Sequence, residues 1–331
     1  MANLLPFKCL NMRILFITAT RIGDAILSTG LLDHLVRTHP NAKITVVCGP
    51  AAAGLFEAAP NIERLIVMDK MVFSLHWIRM WGLTVGKLWN LVVDLRNAPL
   101  SYIVPSLRQC HLGEVKDTEH RIISISRVLG LEKMPPAPKL FCSVSDQAQA
   151  KSLIPDGAPV LAIGPTANWA AKIWSVDYYA ELAKRFSGSN GLMPGCRIAL
   201  FGHDDERPDA IRLIEAIPAE HRIDLIGRLN LAEVYACLQR CSFYVGNDSG
   251  LMHLAAAAGV PTLGLFGPSK ELLYGPWGGH CASVRTPEGF DDIHPEGFNH
   301  RITGSLMDNL TVDHVEIAAG ALLQKIQGLQ A

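Results

Sequence analysis

The segment SFYVGNDSGLMHLAAAAG, residues 242–259, decides the fold of this 331-residue chain. An apolar run of strand length at 243–245 leads into a polar turn at 246–250. Small residues at 251–258 then predict a helix that can pack close to a sheet, and a glycine and a proline end it. Residues 261–267 predict the next strand. The segment therefore predicts a compact strand–helix–strand unit of a parallel sheet.

The polar turn places Asp248, Ser249 and Gly250 at the start of the predicted helix. Free N–H groups and the positive end of the helix dipole make such a position an anion site. For an isolated turn, capping of the helix by Asp248 or Ser249 is the simpler interpretation. The remaining sequence has to decide between these two roles.

Length and composition suit two α/β domains, with 49% apolar and 18% charged residues. The net charge of −1 predicts no nucleic-acid partner. The charge is uneven, because residues 1–145 hold 16 Lys and Arg against 10 Asp and Glu, and residues 146–331 hold 14 against 21. We expect two separate domains, the first facing an anionic partner or surface, with a chance imbalance as the alternative.

The eight cysteines are scattered and form no C-x-x-C pair, which predicts a reducing cytoplasm and no structural zinc. Residues 1–11 lack a long apolar core and a cleavage site, so we expect no signal peptide; a mobile extension and a true start at Met12 both stay open. The most hydrophobic stretch, 71–95, is interrupted by charged residues and predicts no membrane span.

Strands and helices alternate along the chain in two series, which predicts an α/β fold with two Rossmann-like, doubly wound domains. The first domain is predicted at 12–145, and proline clusters place a linker at 135–155. The second is predicted at 155–310. The segment 311–331 is predicted as a helix that packs toward the first domain. A tryptophan-rich helix is predicted at 73–89.

Several well-known fingerprints are missing. The chain has no G-x-G-x-x-G after the first strand of either domain, no P-loop, no G-x-S-x-G, no D-x-D and no H-E-x-x-H. A nicotinamide dehydrogenase, a P-loop NTPase and a hydrolase of the G-x-S-x-G type are therefore unsupported. One polar cluster lies in a Gly/Pro-rich stretch and predicts a solvated loop rather than a metal site: Asp291, Asp292, His294, Glu296 and His300.

Three polar clusters each follow a predicted strand. Asp24 lies beside Arg21 in the first turn of the first domain, where helix capping is the alternative role. Thr166 and Lys172 follow the first strand of the second domain, where a plain surface loop is the alternative. The third cluster is the opening turn, with His253 one helical turn later. Ligands bind at the carboxyl ends of parallel strands, so domains that face each other would bring all three to one cleft.

Residues 247–269, NDSGLMHLAAAAGVPTLGLFGPS, resemble the D-[ST]-G-x-x-H-x-A-A-A-x-G-x-P-x-x-x-x-F-G-x-[ST] signature of glycosyltransferase family 9. Residues 21–26, RIGDAI, resemble its R-x-G-D turn, and residues 166–174 its x-W-x-x-K-x-W segment. The best-known members are ADP-heptose–lipopolysaccharide heptosyltransferases. The resemblance spans residues 12–327. It implies the GT-B fold, with the acceptor on the first domain and the nucleotide-sugar on the second.

The resemblance implies one displacement at the anomeric carbon, which inverts it. Asp24 would be the base for the acceptor hydroxyl, and Arg21 would bind the acceptor. Lys172 and the amides of Ser249 and Gly250 would stabilise the departing diphosphate without a metal or another cofactor.

The resemblance also assigns the remaining donor contacts. Asp248 would hold hydroxyls of the donor sugar, and Thr166 would contact phosphate. His253 would either bind phosphate or support the turn. Glu206 is the expected ribose ligand, with Asp205 as the alternative. Leu229 would lie against the base, where relatives often have methionine.

The expected partners are a nucleotide-sugar donor and a lipid-linked or lipopolysaccharide core acceptor. The expected location is the cytoplasm, with peripheral contact at the inner membrane through the basic first domain and Trp77, Trp81 and Trp89; core packing of these tryptophans is the alternative. Two other functions stay open. One is a GT-B transferase with another donor or acceptor, and the other is a non-catalytic nucleotide-sugar-binding protein, against which the retained Asp24 argues.

Overall fold

The computed structural model describes residues 12–69, 71–299 and 302–330, which form two compact units. The N-terminal unit comprises residues 12–116 and 122–136, and the C-terminal unit comprises residues 117–121 and those from 137 onward. The N-terminal extension with Cys9 lies outside the described residues, as does His300 of the predicted polar loop.

A five-stranded parallel sheet in the order β3-β2-β1-β4-β5 forms the N-terminal unit. The central strand is an uninterrupted apolar run that is buried on both faces, as a parallel sheet covered by helices requires. Its strands are β1 (Arg13–Ile17), β2 (Lys43–Cys48), β3 (Ile62–Val67), β4 (Leu91–Asp94) and β5 (Gln109–His111). Its helices are α1 (Ile22–Thr38), α2 (His76–Thr84) and α3 (Arg121–Ser126), the last beginning at the boundary of the units.

The predicted tryptophan-rich helix is shorter than expected. Helix α2 ends at Thr84, and Trp89 is buried in a parallel bridge with Ser106. Glycine weakens a helix, and Gly86 lies just beyond the end of this one. The indole nitrogen of Trp89 also donates a 2.9 Å hydrogen bond to the Thr84 carbonyl, which the end of the helix leaves without an intrahelical partner.

A six-stranded parallel sheet in the order β11-β10-β9-β6-β7-β8 forms the C-terminal unit. Its strands are β6 (Val160–Gly164), β7 (Arg197–Leu200), β8 (Arg222–Asp224), β9 (Phe243–Asn247), β10 (Thr262–Phe266) and β11 (Cys281–Arg285). Its helices are α4 (Val144–Leu153), α5 (Val176–Ser187), α6 (Arg207–Ala216), α7 (Leu231–Leu238), α8 (Gly250–Ala257), α9 (Glu271–Tyr274) and α10 (Val312–Gln330). The strand order is that of a Rossmann fold, so the predicted α/β class with two parallel-sheet domains is confirmed.

Part of the segment predicted as a linker is helix α4, which packs against α7. A capping box starts the helix: the Ser143 hydroxyl accepts from the Asp146 backbone N–H at 3.1 Å, and the Asp146 carboxylate accepts from the Ser143 N–H at 2.7 Å. The prolines on both sides of this helix favoured a linker, so the helix start was not recognised in the sequence. The predicted linker at 135–155 is therefore wrong for residues 144–153.

Two further helices begin with side-chain caps. Ser175 caps α5 by accepting from the Asp177 N–H at 3.3 Å, and Asn230 caps α7 by accepting from two backbone N–H groups. The buried residues of α10 belong to the core of the C-terminal unit. The packing of this segment toward the first domain stays a prediction. Within the described ranges, no helix has the length and apolar character needed to cross a membrane, and the described cysteines carry free thiols.

Candidate active site

The sheet of the C-terminal unit has its topological switch point between β6 and β9. From β6 the chain continues to β7 and β8 on one side, and it then crosses to β9 on the other. The crevice beyond the carboxyl ends of two such strands is where open α/β sheets bind ligands. The polar segments at 165–174 and 248–253 follow these two strands, so the fold brings two predicted clusters to the same place.

The two strands end in a close approach that requires glycine. Gly164 and Gly246 are register partners, and the Tyr244 phenol fills the space beside both. A Cβ atom at either position would lie 2.2 Å from the phenol oxygen. Burial raises the pKa of Tyr244, so the phenol stays neutral. The neutral aromatic ring therefore forms part of the floor beneath the crevice.

Asn247, the last residue of β9, ties the two polar segments together. Its buried Oδ1 accepts from the Trp174 backbone N–H at 3.0 Å and from the Tyr179 hydroxyl at 3.1 Å. Its Nδ2 donates to the Pro165 carbonyl at 2.9 Å. The side chain thus fixes both ends of the loop that carries Lys172. Sequence reasoning did not assign this role, although Asn247 stands directly before the recognised D-[ST]-G motif.

Lys172 and Asp248 form an ion pair in the crevice. Nζ of Lys172 lies 2.5 Å from Oδ2 of Asp248, and the two side chains are only 14% and 7% exposed. The ammonium group also lies 4.6 Å from the centroid of the Trp169 ring, at cation–π distance. The Asp248 carboxylate is therefore turned toward Lys172. No side chain caps α8, so the capping alternative for Asp248 and Ser249 is wrong.

Several buried polar atoms around this pair have no hydrogen-bond partner among the residues that the structure describes. They follow three adjacent strands, β6, β9 and β10, and they are Thr166 Oγ1, His253 Nδ1 and Ser269 Oγ. The Ser249 hydroxyl lies beside them, within hydrogen-bonding reach of the Tyr244 phenol. Native proteins leave few buried polar groups unpaired, so such a group indicates a missing ligand or water. Together with an ammonium group and the amides at the start of α8, three hydroxyls can hold an anion with several oxygens.

Ser269 was not among the predicted site residues. It follows the end of β10, the neighbour of β9, and its side chain is buried. The signal was present in the sequence, because Ser269 occupies the last position of the family signature. The adjacency of β10 and β9, which the sequence alone did not show, explains why this hydroxyl belongs with the others.

His253 lies on the buried face of α8. Burial lowers its pKa to about 4, and the nearby Asp248 carboxylate only partly opposes this shift. The imidazole is therefore neutral near pH 7 and acts as a hydrogen-bonding group rather than as a cation. Its backbone N–H lies 3.5 Å from the Ser249 carbonyl, which places it in the first turn above Ser249.

The predicted ribose and base contacts follow β7 and β8, on the other side of β6. The Glu206 carboxylate is half-buried and accepts from the His203 N–H at 2.7 Å. Asp205 is far more exposed, and its carboxylate lies 2.6 Å from the Nδ1 atom of the same histidine. Leu229 is half-buried after β8. Glu206 follows β7, one strand away from β6, and Leu229 follows β8, two strands away. An elongated ligand that starts at the ion pair would extend in this direction.

Asp24 and Arg21 lie in the N-terminal unit, just after its central strand. The sequence placed Asp24 in a turn before a helix, but α1 already begins at Ile22. Arg21 occupies the N-cap position without a side-chain cap, and half-buried Asp24 lies in the first helical turn. Asp24 therefore does not occupy the N-cap position. Its carboxylate lies where the helix dipole stabilises negative charge.

No group of three or more His, Cys, Asp or Glu side chains is arranged to hold a metal ion within the described residues. The stretch 286–299 forms neither helix nor strand, so the predicted loop is confirmed for its described members. His294 makes a 2.8 Å hydrogen bond with the Phe290 carbonyl, and its ring lies against those of Phe290 and Phe298.

Comparison with known proteins identifies the family and the fold. The family profile described as "Glycosyltransferase family 9 (heptosyltransferase)" matches residues 116–291, more than half of the chain. Lipooligosaccharide heptosyltransferase 2 of Haemophilus influenzae is 26% identical over 315 residues, covering 84% of this chain and 90% of its own length.

Two solved structures show the shared fold. The glycosyl transferase family 9 protein of Veillonella parvula superposes with a TM-score of 0.75 at 21% identity, covering 95% of this chain and 97% of its own. The ADP-heptose lps heptosyltransferase II of E. coli superposes with a TM-score of 0.72 at 22% identity, covering 96% of this chain and 100% of its own.

Proposed function

This chain belongs to glycosyltransferase family 9, and from that premise we propose that it transfers a heptose from ADP-heptose to a lipopolysaccharide core acceptor, inverting the anomeric centre. As a member of the family the chain is a glycosyltransferase. The donor and acceptor are proposed from the similar proteins, which are lipopolysaccharide and lipooligosaccharide heptosyltransferases and an ADP-heptose heptosyltransferase.

One observation carries the proposal: the buried Thr166 hydroxyl has no partner among the described residues, and it lies in the same loop as Lys172, whose buried ammonium group pairs with Asp248 just before the start of α8. A diphosphate would supply acceptor oxygens for both groups. On binding, Lys172 would turn from Asp248 to the diphosphate, and Asp248 would accept hydrogen bonds from hydroxyls of the sugar. The amide of Gly250 and neutral His253 would complete the contacts to phosphate.

The reaction itself needs a base and a stabilised leaving group. Asp24 is the proposed base, removing the proton from the acceptor hydroxyl as the oxygen attacks the anomeric carbon. The bond to the diphosphate breaks on the opposite face, so one displacement inverts the configuration. Lys172 and the α8 amides neutralise the departing charge, a task for which this mechanism needs neither a metal ion nor a cofactor. Arg21 is the proposed contact for the acceptor.

The nucleoside end of the donor extends toward β7 and β8. Glu206 is the proposed ribose ligand, because its carboxylate is held by the His203 N–H in a half-buried position. Leu229 provides an apolar contact for the base. The proposed location is the cytoplasm, where a lipid-linked acceptor would be met at the surface of the inner membrane.

A thermal-shift experiment with ADP-, UDP-, GDP- and dTDP-sugars tests the donor. The preferred donor raises the melting temperature because it binds only the folded state, and we expect ADP-heptose to give the largest shift. Lys172→Ala should weaken donor affinity at least about tenfold, the scale of one charge-assisted hydrogen bond. Lys184→Ala, an exposed lysine on α5, is the matched control and should bind like the wild type.

The outcomes separate the alternatives. If another nucleotide-sugar raised the melting temperature more than ADP-heptose, that nucleotide-sugar would be the donor instead. Unchanged donor affinity in Lys172→Ala would show that Lys172 does not contact the donor. Donor binding without transfer to a heptose-deficient core acceptor would favour a non-catalytic binding protein. NMR of the product's anomeric configuration decides between inversion and retention.

A further inference from the structure

Solvent-exposed large apolar side chains are concentrated in one part of the N-terminal unit. Residues 71–107 contain nine of them, while all the other described residues contain seven. Exposed apolar residues that occur singly are normal, whereas a concentration of them marks an interaction surface. The most exposed are Val72, Phe73, Ile78, Leu88, Ile103 and Leu107.

The loop before α2 holds Phe73 away from the protein. The side chain is 95% exposed, and the neighbouring Val72 is 74% exposed. Phe73 and Ser74 have φ angles of 51° and 58°, a left-handed conformation that bulky residues rarely adopt. Backbone hydrogen bonds from Ser74 to Met71 and from Leu75 to Val72, both 3.2 Å, maintain the turn. Residues in such strained conformations cluster at functional sites.

Exposed apolar side chains also occur beyond the Phe73 loop, near the end of α2 and after β4. Helix α2 packs against the 3-10 helix Pro99–Ile103, which carries Ile103. Leu88 and Leu107 flank a paired stretch in which the Leu107 N–H donates to the Trp89 carbonyl at 2.9 Å. Leu88 and Leu107 precede β4 and β5, whereas the Phe73 loop follows β3, so in this parallel sheet they lie toward opposite ends. The interaction surface is therefore limited to the Phe73 loop and the exposed side of α2.

The tryptophans of this region are not the exposed groups. Trp89 is buried in the core, and Trp77 and Trp81 pack against the same core. The core-packing alternative for these tryptophans is thus supported. Phe73 and its neighbours, rather than the tryptophans, are therefore the side chains available for contact with an apolar partner.

The charge around these side chains is positive. Residues 71–108 contain four cations, Arg79, Lys87, Arg96 and Arg108, and one acidic residue, Asp94. Lys87 pairs with Glu63 of β3 at 3.6 Å and half-buried Arg96 lies against the Trp77 ring, which leaves Arg79 and Arg108 as the exposed cations. Asp94 is fully buried and occupied by hydrogen bonds from its own loop. A second copy of this chain, docked symmetrically, would bring like charges together. An anionic lipid surface instead offers both apolar chains and negative charge.

We propose that the loop 71–75 and the exposed side of α2 form a bilayer-docking surface, in which Phe73 inserts into the interface of an anionic membrane while Arg79 contacts lipid headgroups. The proposal deepens the proposed function, on which it rests for the lipid-linked acceptor. It places the attachment point in the unit that carries Asp24.

Co-sedimentation with vesicles tests this surface. The full chain should bind vesicles of phosphatidylglycerol and phosphatidylethanolamine and should bind phosphatidylcholine vesicles more weakly. Phe73→Asn should lower the partition coefficient at least about tenfold, the scale of one buried aromatic side chain. Asparagine tolerates the left-handed backbone, so the variant should keep the melting temperature of the wild type.

Matched variants separate the apolar and charged contributions. Ile317→Asn, which removes a 71% exposed side chain from α10 of the C-terminal unit, should bind like the wild type. Arg79→Ser should weaken binding to anionic vesicles about fivefold, leave binding to phosphatidylcholine unchanged, and make the remaining binding less sensitive to salt.

Three results would overturn the docking surface: no binding of the wild type to anionic vesicles, equal binding by Phe73→Asn, or a wild-type dimer that Phe73→Asn dissociates. Transfer to a soluble, deacylated core acceptor is measured in parallel. Phe73→Asn should retain that activity. If the wild type did not transfer heptose to this soluble acceptor, the proposed function would be wrong. Vesicle binding would still test the docking surface independently.

Discussion

Thr18 follows the central strand β1 of the N-terminal unit, and Thr166 follows the central strand β6 of the C-terminal unit. Both side chains are buried. The Thr18 hydroxyl lies 2.7 Å from the Ser28 hydroxyl, which in turn donates to a backbone carbonyl. The Thr166 hydroxyl finds no such partner within the described part of the chain.

The acidic residues at the two switch points differ in the same way. Asp94, at the end of β4, accepts three hydrogen bonds of 2.7 Å from its own loop. Asp248, after β9, is held by Lys172, a flexible side chain that a stronger anion can attract. The two units share a parallel-sheet topology but differ in how the polar groups at the strand ends are hydrogen-bonded. At the N-terminal switch point the Thr18 hydroxyl and the Asp94 carboxylate have protein partners, whereas at the C-terminal one the Thr166 hydroxyl has none among the described residues.

The largest expected effect separates chemistry from binding. Asp24→Asn keeps the shape of the side chain but removes the proposed base, so turnover should fall at least about a hundredfold. Donor affinity, measured by calorimetry, should stay within about twofold because the donor contacts lie in the C-terminal unit. Glu57→Gln, an exposed carboxylate of the same unit, is the control. Near-normal turnover of Asp24→Asn would exclude this residue as the base.

The second effect is a pH dependence of stability from His253. Its folded-state pKa of about 4 lies below the ordinary 6.5, so the unfolded chain binds more protons between these values. Stability should therefore fall as the pH drops below 6.5, by about 2 kcal/mol at pH 5 from this residue. His253→Gln should remove that part of the loss in urea unfolding, whereas exposed His314→Gln should not. Parallel curves for wild type and His253→Gln would contradict the buried, neutral imidazole.

The smallest effect tests the threonine comparison directly. Thr166→Val removes a buried, unpaired hydroxyl, so the unliganded protein should gain about 1 kcal/mol while donor affinity falls about tenfold. Thr18→Val removes a satisfied hydroxyl, so stability should fall by about 1 kcal/mol with donor affinity unchanged. Equal stability changes in the two variants would mean that water satisfies Thr166 as well as a ligand would.

Much of the fold could be predicted because it depends on local patterns. The apolar runs of β1 and β6 can be recognised without knowing their neighbours, since parallel strands are buried on both faces. Ser175 and Asn230, which cap α5 and α7, stand directly before the apolar positions of their helices, where a cap is visible in the sequence. Helix α4 was missed because its Ser143–Asp146 capping box lies among proline breakers.

The candidate site was predictable where the signature names residues, and incomplete where spatial adjacency decides. Asp248, Lys172 and Thr166 could be assigned from motifs, but the direct pairing of Asp248 with Lys172 could not. These two residues are 76 positions apart in the chain. Ser269 joins the same set because β10 lies beside β9, and Asn247 joins it through hydrogen bonds to a loop from another strand.

The sequence by itself determined the class of fold, the family and the residue types at the ends of the strands, because strand periodicity, helix signals and motif spacing are properties of short segments. Only the tertiary structure decided which polar groups are satisfied. Whether Thr18 meets Ser28, or Thr166 meets nothing, depends on which strands become neighbours and how closely their ends approach. A hydrogen bond needs its partner within about 3 Å, and only the folded chain sets that distance.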